Sequence, residues 1–185
     1  MNAHSIATPG AVLDFWREAG PKKWYTKDAV FDDDIRSRFL ATYEAAAAAG
    51  RLSAWEENSE GALALILTLD QFPRNMFRGD ARTYAADSLA RAVADRAIAR
   101  GFDKKFAMPE RTFFYLPFEH SENLADQERC VDLNRATGDE EALKWAEIHA
   151  DIIRRFGRFP HRNAVLGRET TPDEQAFLDG GGFAG

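Results

Sequence analysis

Apolar positions along the chain recur at helical spacing. Val12, Phe15, Trp16 and Ala19 share one face before Gly20-Pro21, and Phe31, Ile35, Phe39, Thr42/Tyr43 and Ala46 share another before Gly50, so two amphipathic helices are predicted here. "SEGALALILTLD" follows, apolar nearly all round and preceded by Asn58 or Ser59 as a cap. That pattern predicts a helix enclosed by other helices at the centre of the fold.

Asp80 is placed to cap the next helix, whose Ala86, Leu89, Ala90, Val93 and Ala97 form a small-residue face ending at Gly101. Pro109 suits a first helical turn leading through "RTFFYL" to Pro117. Ser121 is expected to cap a helix reaching Ala136. Asp139 should cap another, with Ala142, Trp145, Ala146, His149, Ile152, Ile153 and Phe156 on its apolar face. Thr171-Pro172-Asp173-Glu174 has the spacing of a capping box and starts a short last helix. No strict alternation and no Asn-Gly hairpin signal occurs. The expectation is an all-α domain over residues 1–185, built of about seven helices in stacked antiparallel pairs, with a flexible start (1–9) and a loose glycine-rich tail (180–185). No fixed period repeats; the one internal echo is "FPRN" at Phe72–Asn75 against "FPHRN" at Phe159–Asn163, to which little weight is given.

Composition narrows the function classes. The 185 residues fit one domain, and 45% hydrophobic content suffices for a core. A net charge of -6 disfavours nucleic acid and anionic membrane as partners. The most apolar run, residues 62–69, is too short for a membrane span. The amino terminus carries no leader pattern, and the one cysteine, Cys130, excludes an internal disulfide and a multi-cysteine metal cage, so a cytoplasmic protein is expected. Positive charge is nonetheless concentrated: five arginines and no acid lie between Arg154 and Arg168.

Three segments carry candidate chemistry. Asp70 is expected at the carboxyl end of the buried helix, a position costly for an anion, with Arg74 and Arg78 following Pro73 as compensating charges. Glu119, His120 and Glu122 stand at a helix start, where carboxylates are favourable anyway, and His120 between acids could serve as acid or base. Arg158, His161, Arg162 and Asn163 follow a helix break at Gly157 and Pro160; forked donors there suit a carboxylate or phosphate, or pair internally with acids. Arg154 and Arg155 need no further reason than a helix carboxyl end. His149 reads as a core histidine, His4 as having no role, and Asp32–Asp34 as a solvated helix start. No HExxH or paired ExxH spacing occurs, so neither a metal site nor a cofactor is assigned.

"LDQFPRNMFRG", "FFYLPFEHSE" and "RFPHRNAVLGRETTPDEQAFL" together resemble the bacterial family known as domain of unknown function 924, in order and over almost the whole chain. The resemblance implies a tetratricopeptide-like helical fold and no particular activity. It marks Asp70, Arg74, Asn75, Arg78, Glu119, His120, Glu122, His161, Arg162 and Asn163 as signature positions.

Two functional classes follow. In the first, the motifs form one concavity: Arg74, Asn75, Arg78, Glu119, Glu122, Arg158, Arg162 and Asn163 bind a small anionic ligand, with His120, His161 and Asp70 as candidate catalytic groups. In the second, the chain is a helical interaction module for a peptide or a second copy of itself. Trp16, Trp24, Phe77 or Phe118, if exposed, would then be aromatic anchors and the motifs structural locks.

Overall fold

The computed structural model describes residues 5–48 and 50–183; His4 lies outside the described residues. Among the described residues ten α-helical segments follow in order: α1 Pro9–Ala19, α2 Pro21–Trp24, α3 Ala29–Ala47, α4 Ser59–Ile66, α5 Phe72–Met76, α6 Asp87–Ala99, α7 Leu116–Glu119, α8 Leu124–Arg135, α9 Glu140–Phe156 and α10 Pro172–Asp179. Short 3₁₀ turns join several of them, and no strand occurs among the described residues. The fold is all-α, as the helical periodicity requires. The chain packs as two compact units, residues 1–117 and 118–185.

In the first unit α4 is the central helix, buried from Gly61 onward and packed by α1 and α6. Gly61 has to be glycine: a Cβ there would lie 2.1 Å from the Trp55 carbonyl oxygen, so this helix start tolerates no side chain against the preceding turn. Aromatic rings fill the space around it. Phe15 stacks on Phe31 at 5.5 Å and meets Phe39 edge-on at 5.0 Å, and Trp16 stacks on Trp24 at 5.8 Å. Trp16, Trp24, Phe77 and, in the other unit, Phe118 are all buried. They are core residues, so the exposure that an anchor role at those positions requires is not met.

The central helix does not end before Pro73. Residues Leu67–Gln71 widen into a π-helical turn in which the Phe72 N–H reaches back to the Leu67 carbonyl, and α5 continues at once. A proline inside a regular helix leaves a carbonyl unpaired one turn earlier; the wider turn places Pro73 at the start of the next helical segment instead. Asp70 therefore sits within a continuous helix, not at its carboxyl end. Two cap assignments also shift. Asp80 caps the 3₁₀ turn Ala81–Tyr84, with α6 starting at Asp87, and Asn123, not Ser121, caps α8 by accepting the Ala125 N–H.

In the second unit α8 and α9 form an αα-hairpin, α9 being capped by Asp139 and terminated by Gly157 in the left-handed region at φ 69°. Pro160–Arg162 makes a 3₁₀ turn, and Thr171 and Glu174 complete the capping box that starts α10. Ile152, Ile153 and Phe159 form this unit's small core, with Ile148, Phe156, Phe177 and Phe183 packed against it.

Candidate functional site

The first motif forms a network inside the first unit. Asp70, fully buried, accepts a hydrogen bond from Gln71 Nε2 at 2.5 Å and lies 3.4 Å from Arg74 Nη1. Arg74 also donates to both oxygens of Asp87, at 3.1 and 3.2 Å. Burial pulls the Arg74 pKa down, but Asp70 and Asp87 outweigh it and the net shift is upward, so the guanidinium stays charged. Asn75 Nδ2 donates to Asp32 Oδ1 at 2.7 Å, and Arg78 donates to both oxygens of the same carboxylate. Asp32 is thus buried and engaged, which corrects its reading as a solvated residue.

The second and third motifs meet within the second unit. Glu122 accepts the Phe159 N–H at 2.9 Å and both terminal nitrogens of Arg168 at 2.7 and 3.0 Å. Burial would raise the Glu122 pKa; the Arg168 and Phe159 hydrogen bonds outweigh it, and the carboxyl ends below its ordinary value. Arg162 lies over the Phe159 ring at 4.4 Å and donates to the His120 carbonyl at 3.0 Å. Arg158 donates to both oxygens of Glu174, at 2.6 and 2.8 Å, and Asn163 Nδ2 donates to Glu174 at 3.1 Å. The Arg158 bonds first, and then the Thr171 N–H, hold the Glu174 carboxyl down at about 2 against the opposing effect of burial.

The same device therefore occurs in each unit. An asparagine from a Phe-Pro motif and a nearby arginine converge on one carboxylate in the first turn of a helix: Asn75 and Arg78 on Asp32 in α3, Asn163 and Arg158 on Glu174 in α10. The order of arginine and asparagine along the chain is opposite in the two. The sequence echo corresponds to a shared clamp.

Three of the chain's four histidines belong to the second unit. His149 is buried, with Nδ1 2.8 Å from the Trp145 carbonyl oxygen and 3.4 Å from Glu119 Oε1. His161 is half-buried against Phe159 at 5.6 Å. Burial, then the charge of Arg162 and the neighbouring His149, push its pKa down to about 3, so it is neutral at pH 7. Cys130 is buried near Glu119, and burial raises its thiol pKa well above the ordinary value, which makes it a poor nucleophile. Among the described residues no group of three or more His, Cys, Asp or Glu side chains is arranged to hold a metal ion. No described helix is long and apolar enough to cross a membrane.

A concavity of about 280 Å³ does occur in the second unit, but the signature residues do not line it. Its walls are Ile148, Ile152, Phe156, Phe177 and Phe183, with Asp151 and Arg155 as its charged members. Phe183 reaches it from beyond the end of α10 and packs its ring edge-on against His149 at 4.5 Å and His161 at 5.4 Å. Composition gave no sign of this groove. Arg168, Glu174, Asp32 and Asp87 were likewise missed as partners, because their pairings are tertiary.

Among curated proteins none matches the chain. A solved structure, titled as a protein of unknown function, ATU0120, from Agrobacterium tumefaciens, is 51% identical, covers 93% of this chain and 97% of its own, and superposes with a TM-score of 0.90. The family model described as bacterial protein of unknown function (DUF924) matches residues 12–182. With a match over that length, and a fold shared with a half-identical relative, the chain belongs to the DUF924 family.

Proposed function

We propose that this chain is a helical binding module: the groove between α9 and α10 takes an extended peptide segment bearing an aromatic side chain, while the signature polar residues clamp helix ends. The observation that carries this reading is Phe183, an aromatic side chain on non-helical backbone that closes one side of that groove while its ring packs on His149 and His161. Peptide grooves on helical proteins are hydrophobic, and this one is lined by Ile148, Ile152, Phe156 and Phe177 with Asp151 and Arg155 as its charged members.

The anionic-ligand reading is less favoured by the same geometry. Arg74, Arg78 and Arg158 are already held by Asp87, Asp32 and Glu174 at 2.5 to 3.2 Å, and Arg162 by a carbonyl and a ring. A phosphate or carboxylate arriving from solvent would have to displace an internal carboxylate, leaving that buried anion without its partner. Such an exchange gains little.

The test is a peptide array of octamers with and without aromatic residues, probed with the full-length chain and with Ile148→Asp. Retention of aromatic peptides that Ile148→Asp abolishes is the expected result. Indifference to both the aromatic residue and the groove substitution would overturn the reading.

A further inference from the structure

We propose that the turn joining α2 to α3 is a docking surface for a short acidic segment of a partner protein, one that carries an apolar side chain among its carboxylates. The surface lies in the first unit and is independent of the α9–α10 groove. Two observations coincide on it. Val30 and Tyr25, 80% and 63% exposed, are the two most exposed large hydrophobic side chains among the described residues. Three of the chain's six lysines, Lys22, Lys23 and Lys27, accompany them, and all three are exposed. Single apolar side chains scattered over a surface are ordinary, whereas apolar groups gathered within a charged rim mark interaction sites.

The turn is held from below by Trp24, the one buried residue between positions 21 and 27. Its ring stacks on Trp16 at 5.8 Å and its Nε1–H donates to the Trp16 carbonyl at 2.7 Å. Thr26 Oγ1 donates to the Lys22 carbonyl at 2.6 Å, and Tyr25 stacks on Phe113 at 6.4 Å. A partner therefore meets a fixed backbone, and little ordering is left to oppose binding. The acids that follow in α3 are already engaged. Asp28 accepts the Val30 and Phe31 N–H groups, Asp32 holds Arg78, and Asp33 and Asp34 pair with Arg36 and Arg38. Among the described residues none of the three lysines forms an ion pair; Lys23 lies over the Phe31 ring at 5.5 Å. Arginine forks clamp the internal carboxylates, while these lysines, compact charges on flexible stems, face solvent. Complementary charge has to come from outside. The whole chain carries -6, so acids prevail away from this turn, and a nucleic-acid duplex or a bilayer extending past it meets repulsion. A short acidic segment stays within the reach of the three ammonium groups, about 8 Å at physiological salt.

Anisotropy with two fluorescein-labelled octapeptides tests this: one has a Phe-Leu pair flanked by glutamates, and its twin has glutamine in place of each glutamate. The acidic peptide should bind full-length wild type and weaken with added salt. Its affinity should fall about tenfold in Val30→Asp and in the triple variant Lys22→Glu, Lys23→Glu, Lys27→Glu, and less than about twofold in Lys144→Glu, a lysine outside the turn. The glutamine twin should bind wild type about tenfold more weakly than the acidic peptide. All the substituted side chains are exposed, and two independent variants guard against one that disturbs folding. No binding by wild type, or equal binding by wild type and the triple variant, would overturn the proposal. So would capture of phosphatidylserine vesicles or of an oligonucleotide by a wild-type chain that ignores the acidic peptide, or a dimer in light scattering that the triple variant dissolves, since the turn would then belong to another anionic surface or to a second copy.

Discussion

Arg158 and Glu174 form a two-point ion pair, both carboxylate oxygens accepting from one guanidinium at 2.6 and 2.8 Å, while the same carboxylate caps α10 and accepts from Asn163. One buried carboxylate thus fastens a helix start, a loop asparagine and the arginine that follows the break after α9. Its pKa of about 2 lies below the ordinary 4.5, so folding favours the ionised form. The stabilisation is fully present above pH 4.5 and is lost as pH falls towards 2. Thermal melts of wild type and Glu174→Gln should differ by several degrees at pH 7 and converge between pH 4.5 and 2. A difference independent of pH would show that the charge is not what holds the clamp.

Asp32 plays the corresponding part in the first unit. Asp32→Ala removes the acceptor of the buried Asn75 amide and of Arg78 at once, and leaving a buried donor without its partner costs about 2 kcal/mol. Urea denaturation should register that loss at unchanged slope. Asp33→Ala, at an exposed neighbour, should lie within about 0.5 kcal/mol of wild type.

His161 gives a separate pH window. Its pKa is depressed from 6.5 to about 3, so the unfolded chain takes up a proton between those values that the folded chain refuses, and stability declines as pH falls from 6.5 to 3. An NMR titration of the imidazole carbon resonances should show His161 still neutral at pH 4.5. His161→Phe should flatten the stability profile through that window.

Cys130 should be unreactive in the native chain. It is fully buried and its thiol pKa is raised, so Ellman's reagent at pH 8 should label it only after denaturation. Labelling of the native protein at the rate of an exposed thiol would show that the α8–α9 hairpin opens readily.

Local signals in the sequence predicted local structure well. Asp139, Gly157 and the Thr171–Glu174 box are where their spacing puts them, since a cap is decided within four residues. Pairings across 40 residues carry no such signal: Asp32 looks like any acid in a first helical turn until Asn75 and Arg78 are folded onto it. The π-helical turn was hidden for another reason, because proline advertises a break and a widened helix evades one. The tail was the least legible part. Three glycines read as looseness, yet Gly181 and Gly182 are the residues a tight turn and a close approach to Phe177 demand.

The division of labour between clamps and groove is tested most directly by calorimetric titration of wild type and Arg158→Ala with inorganic phosphate and small carboxylates. The account predicts no saturable heat with either chain. Saturable binding to wild type that Arg158→Ala abolishes, with the variant still folded, would contradict it and return Arg158 to a ligand.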